Sequence, residues 1–115
     1  MYRIPRHDID VFESTGVAMD FLPAMTGGTR TNVHVAHLEP GGTLGRHPAT
    51  RLQVFAVVHG EGEAQGDDGP GTPISTGMLV VWEPGEWHQS WASTPMTVVI
   101  VETDAELDLS HHVAL

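Results

Sequence analysis

From Asn32 onward the chain alternates short apolar runs with turn clusters, and no run keeps a helical period. Asn32 to Leu38 (NVHVAHL) reads as a strand, with Val33, Val35 and His37 on one face and Asn32, His34, Ala36 and Leu38 on the other. Glu39-Pro40-Gly41-Gly42 ends it. Leu52 to His59 (LQVFAVVH) is β-branched and aromatic, too short for a typical helix, and closed by glycine. Glu61 to Gln65 continues past the Gly60 and Gly62 bends. Gly66 to Pro73 (GDDGPGTP) is a turn cluster that predicts a hairpin between its flanking strands. Met78 to Trp82, Trp87 to Ala92 and Met96 to Glu102 are three more strands, parted by Glu83-Pro84-Gly85 and Ser93-Thr94-Pro95. The last of them, MTVVIVE, is apolar on both faces, as expected of a strand lying between the core and a second covered surface. Short strands with turn signals every ~8–12 residues predict an all-β sandwich or barrel.

The flanks are harder to read. Asp8 to Phe12 and Val17 to Leu22 suit short strands about a Ser14-Thr15-Gly16 turn, with a helical turn over Asp8–Ser14 as the alternative. Pro23 and Gly27-Gly28 then mark a loop. The expected division is an N-terminal arm over 1–31, a barrel over 32–103 and a tail over 104–115 that frays. The arm is placed to pair with the barrel edge or with a second subunit.

Composition narrows the chemistry. A chain of 115 residues is one domain. It has no cysteine, which excludes disulfides, thiolate metal sites and a cysteine nucleophile, and it has no lysine, which excludes a Schiff base or a P-loop. The formal net charge of −10 and only five arginines argue against nucleic acid. The opening MYRIPRHDID carries no apolar run of signal-peptide type, and no stretch is long enough to span a bilayer, so a cytoplasmic location is the default expectation. The eight histidines are the most informative feature, since imidazole is the usual proton carrier and metal ligand near neutral pH.

Two stretches concentrate the candidate chemistry: Gly41–Gly62 and Gly77–Trp91. By period 2, His47, Ala49, Arg51, Gln53, Phe55 and Val57 share one parity. If Phe55 and Val57 face a barrel interior, Gln53 and His47 face it too. In the second stretch Glu86, His88, Ser90 and Ala92 share a parity, while Trp87, Gln89 and Trp91 take the opposite face. An interior with His47, Gln53 and His88 holds two imidazoles and an amide. Phe55, Val57, Trp82 and Ser90 are the candidate lining, and Arg51 is the one cation placed to pair with an anionic ligand such as a carboxylate.

At these residues the chain resembles the cupin superfamily. The first cupin motif runs G, five residues, H-x-H, three or four residues, E, six residues, G. Gly41 is followed by five residues and His47; Ala49 stands at the second His, Gln53 at the Glu, and Gly60 closes the motif. The second motif runs G, five residues, P-x-G, two residues, H, three residues, N. Gly77, Pro84, Gly85 and His88 match it, with Ala92 at the Asn. The resemblance spans Asn32 to Glu102 and implies a double-stranded β-helix, or jelly roll, often homodimeric. It implies a divalent metal such as Fe, Mn, Ni or Zn, for which only His47 and His88 match as ligands, with Gln53 offering a weaker neutral oxygen. His34 is a candidate for a further ligand if it faces inward.

Four functions are therefore expected to compete. The first is a cupin that binds a small organic molecule beside an incomplete His47/His88/Gln53 metal site. The second is a metal-dependent oxygenase, isomerase or decarboxylase using those ligands. The third is a metal-free acid/base enzyme, for which Glu86 is the nearest carboxylate by parity. The fourth is a sensory or structural module. Against all of these stands the plain reading that the glycines and Pro84 serve turn geometry alone, with the two histidines hydrogen-bonded inside a wet pocket. His59 is expected at the surface, as are His7, His111 and His112.

Overall fold

The computed structural model describes Met1–Leu115. The arm supplies β1 (Tyr2–Arg3), β2 (Arg6–Ile9), β3 (Val17–Asp20) and β4 (Ala24–Thr26). Next come β5 (Thr31–Leu38), β6 (Thr43–Pro48), β7 (Leu52–His59) and β8 (Glu61–Gln65). β9 (Thr72–Ser75), β10 (Met78–Trp82), β11 (Trp87–Ala92) and β12 (Met96–Thr103) follow. The tail adds β13 (Glu106–Asp108) and β14 (Val113–Ala114). The helical turn offered as an alternative for the arm is not formed: Phe12 and Glu13 take positive φ in a tight turn, and β2 pairs with β3 across it.

Two sheets face each other. One has six strands in the order β14-β1-β10-β7-β12-β5, and the other four in the order β6-β11-β8-β9. All their pairings are antiparallel. Between the sheets lies the main core, where Phe55, Val57, Trp82, Met96, Val98 and Ile100 are buried. These positions follow the alternation of β7 and β12, whose inner residues are every second one.

The outer faces of β7, β10 and β12 are apolar for a separate reason. Val54, Ala56, Leu79 and Val101 form a second core with Ile4. Leu22 of the arm and Leu107 and Leu109 of the tail pack over it. The arm and tail are also sewn together, since β1 pairs with both β10 and β14, and β4 pairs with β13. The tail therefore lies in strands where fraying was expected. At the barrel edge, the Asp104 carboxylate accepts from Thr29 N, Thr29 Oγ1 and Arg30 N, which holds its pKa down at about 2.

Candidate functional site

Three strands of the large sheet bring one polar row to the interior. Trp82 ends β10 and pairs with Gln53 of β7, and Gln53 pairs with Glu102 of β12. The small sheet faces this row with β6 and β11, on which His47 and His88 are directly paired. The β6–β11 register slips between His88 and Ser90. Gly45 and Arg46 stand opposite Gln89 alone, so the bulge lies in β6 beside His47.

His47 and Gln53 do not reach the interior along one continuous strand, as simple period-2 counting assumed. The chain turns at Ala49–Arg51, after Pro48, and crosses from one sheet to the other. Backbone bonds from Ala49 N to Glu86 O and from Gly85 N to Ala49 O fix that crossing. His47 thus approaches from the sheet opposite Gln53. Arg51 sits half-buried in the turn and does not line the cavity. Val57 is buried in the core, away from the cavity wall.

The cavity encloses about 150 Å³. His47, Gln53, Phe55, Trp82, His88 and Ser90 line it, together with Leu44, Ile100 and Glu102. The His47 and His88 rings meet edge to face with centroids 4.4 Å apart. Trp82 stacks on His88 at 4.2 Å and 16°, and Phe55 leans on Trp82 at 5.3 Å. His47 Nδ1 lies 2.5 Å from Gly45 O, and His88 Nδ1 lies 3.1 Å from Glu86 O. A carbonyl oxygen only accepts, so each Nδ1 carries the proton and each neutral ring keeps Nε2 as an acceptor.

Gln53 is 6% exposed. Its Nε2 donates to Glu102 Oε1 at 3.4 Å, while its own Oε1 is buried with no partner. The Glu102 carboxylate can only accept, and that fixes which end of the amide faces it. An unpartnered buried acceptor is uncommon and marks a place where a ligand or water is expected.

Glu102 was missed by the sequence reading. The signal was present: Met96, Val98, Ile100 and Glu102 share a parity, and the first three are buried. Glu86, the carboxylate chosen on parity, instead turns away to accept from Glu83 N at 3.0 Å. Ala49, at the second histidine of the first motif, is a buried core residue, as is Ala92 at the Asn position of the second. His34 pairs with Ile100 but lies exposed on the edge strand, outside the cavity. Trp87 and Trp91 stand on the outer face of the small sheet, and Trp87 is exposed. His7, His111 and His112 line a separate crevice between the arm and the tail, with Phe21 and Asp108.

Burial pushes the His88 pKa below its ordinary 6.5, and the nearby His47 acts in the same direction. Glu86 O, Glu86 and Glu102 oppose the shift without cancelling it. A histidine that folds into a neutral state binds fewer protons than it does unfolded. Its contribution is therefore intact above about pH 6.5 and is lost as pH falls from there through the folded value. Melting temperatures between pH 7.5 and pH 5 should fall more steeply for the native chain than for His88→Gln. Equal slopes would show that His88 is not the group responsible. The carboxylates with lowered pKa, such as Asp104 at about 2, act at more acid pH and leave this window clear.

The model of the cupin domain matches residues 34–103. The chain belongs to the cupin family. The jelly-roll architecture of this cupin recurs in solved structures that share little sequence with it. A conserved Klebsiella pneumoniae protein with a double-stranded β-helix domain is 23% identical, with 82% of this chain and 84% of that one covered at a TM-score of 0.60. A conserved protein of unknown function from Streptococcus pyogenes is 20% identical over 74% of this chain and 75% of its own, at 0.61. An RmlC-like cupin from Shewanella frigidimarina is 20% identical over 73% and 76%, at 0.61. Identities this low speak for the fold and not for a shared reaction. No curated protein matches this cupin. No helix is long and apolar enough to cross a membrane.

Proposed function

We propose that this cupin binds a small organic molecule in its barrel, with His47, Gln53, Phe55, Trp82, His88 and Ser90 in the ligand site. The observation that carries the reading is a cavity walled by Phe55 and Trp82, beside which the lining residue Gln53 keeps a buried side-chain oxygen without a partner. A cavity of about 150 Å³ is the size that holds a molecule such as benzene. Arg51 and Val57, the other two residues expected at the ligand, are not among those that line this cavity.

The donor set does not fit a resident metal. Catalytic sites generally present three good protein ligands, and no three His, Asp or Glu side chains gather here to hold an ion. A buried alanine, Ala49, occupies the position of a further histidine. One observation nevertheless favours a second reading, a metal-dependent oxygenase, isomerase or decarboxylase. Anchoring both Nδ1 atoms on backbone carbonyls leaves both Nε2 atoms free, which is how metal-binding imidazoles are commonly oriented.

Two measurements separate these readings. Elemental analysis of untagged protein purified without chelator should give no stoichiometric metal. Near-stoichiometric Fe, Mn, Ni or Zn that vanishes in His47→Ala/His88→Ala would overturn the binding reading in favour of the enzyme. In a thermal-shift panel of small alcohols, amines and acids, a ligand at a hundred times its Kd should add about 2.7 kcal/mol of stability. The double variant should lose that response. A response unaltered by both substitutions would place the ligand elsewhere.

A further inference from the structure

The polar lining of the barrel cavity has one chemical character. With Nδ1 turned to a backbone carbonyl, Nε2 is the acceptor of the neutral imidazole at both His47 and His88. Gln53 turns its NH₂ towards Glu102 and leaves Oε1 as a further acceptor. Glu102 adds a carboxylate at the same wall. Only the Ser90 hydroxyl can donate as well as accept. No arginine lines the cavity, and the chain contains no lysine.

An anionic ligand finds neither arginine nor lysine here and meets the Glu102 carboxylate at the same wall, where like charges repel. A ligand rich in N–H donors meets the opposite situation. Trp82 and Phe55, packed on each other and on His88, add apolar wall to the same space.

We infer that the barrel ligand is a small primary ammonium compound, with its N–H groups directed at Glu102 beside Gln53 and its hydrocarbon part against Phe55, Leu44 and Ile100. This rests on the reading of the barrel as a small-molecule site, and it assigns Glu102 as the residue that selects the ligand's charge. An ammonium needs acceptors spread around a body of several atoms. A divalent ion needs them gathered at one point, and the side chains are not gathered so.

The test is a matched series with one carbon skeleton and three charges: butylammonium, butan-1-ol and butyrate. Each is titrated into ¹⁵N-labelled native protein while the Gln53 side-chain amide, the Ser90 and Ile100 backbone amides and the Trp82 indole N–H are followed. Zn²⁺ alone forms a fourth arm. Butylammonium should shift these signals and saturate, and butyrate should bind at least about tenfold more weakly, the scale set by a hydrogen bond to a charged group. Glu102→Gln keeps the side chain's shape and removes its charge. It should weaken butylammonium by about tenfold or more and leave butan-1-ol within about twofold.

Butyrate binding as tightly as butylammonium would overturn the inference and leave the barrel site standing. So would a Glu102→Gln protein that binds butylammonium unchanged. Saturation by Zn²⁺ with no response to butylammonium would overturn it in favour of an ion site. Silence of the cavity signals in all four arms would overturn both the inference and the small-molecule reading beneath it. Should Glu102→Gln fail to fold, the charge series on the native protein decides the matter alone.

Discussion

Trp82→Ala should lower the free energy of unfolding by about 3–5 kcal/mol, the usual cost of truncating a buried tryptophan. The indole is 3% exposed. It fills the space between Phe55 and His88 and closes one side of the cavity. Removing it leaves a void continuous with the ligand site, strips the stacked face from His88 and lets water reach the Gln53–Glu102 pair. Domains of this size hold roughly 5–15 kcal/mol in all, so the variant would sit close to the threshold of folding. Trp82→Phe restores part of the packing and should lie between the two. Urea unfolding with linear extrapolation measures all three proteins. A loss below about 1 kcal/mol in Trp82→Ala would mean that the indole is not packed into the barrel as described, because surface substitutions are the ones that fall in that range. Ligand response should vanish in Trp82→Ala even where the protein is folded, since the aromatic wall of the site is gone.

The barrel was legible because its strands carry their own instructions. β7 and β12 are β-branched, bounded by turns and apolar on both sides, and the structure supplies a layer for each side. GDDGPGTP announced the β8–β9 hairpin, and the two strands do pair across it. Much of the site was legible for a related reason, since parity within one strand is a local property. Gln53 and Phe55 on β7, and His88 and Ser90 on β11, reach the cavity together as counted. Parity fails at a corner. Counting from His47 to Gln53 ran through Ala49–Arg51, where the chain changes sheets, so Arg51 shares Gln53's parity by count without lining the cavity. Glu102 was lost differently: it ends an apolar run, and a charged residue at a strand end reads as the beginning of a turn. Only the pairing of β12 with β7 sets it against Gln53. The covering of the outer face by Leu22, Leu107 and Leu109 joins segments from opposite ends of the chain, and no local pattern encodes such a contact.

Gly60→Ala should cost about 2–6 kcal/mol, which joins about 1–3 for a strained backbone to about 1–3 for overpacking. Gly60 ends the first motif with φ at +90°, a region that L side chains rarely adopt. A Cβ there would also overlap the Pro95 carbonyl oxygen and stand 2.9 Å from Met96 Cα. Both neighbours are backbone and cannot swing aside as a side chain would. Gly41, at the start of the same motif, isolates the first effect. Its φ is +80°, yet nothing lies within 4 Å of an added Cβ. Gly41→Ala should therefore cost only the strain, about 1–3 kcal/mol. Chemical denaturation of the two variants side by side measures the difference. Equal losses would show that backbone conformation alone holds glycine at position 60. A larger loss at Gly60 would show that the close approach of the β12 start to the β7 end requires it. Gly60 follows β7 at the end away from Gln53, about 20 Å along the strand by its rise per residue. Whatever fraction of Gly60→Ala folds should bind ligand as the native chain does. A folded Gly60→Ala protein with impaired binding would tie the motif's closing glycine to the site, whereas unimpaired binding assigns it to the architecture of the barrel.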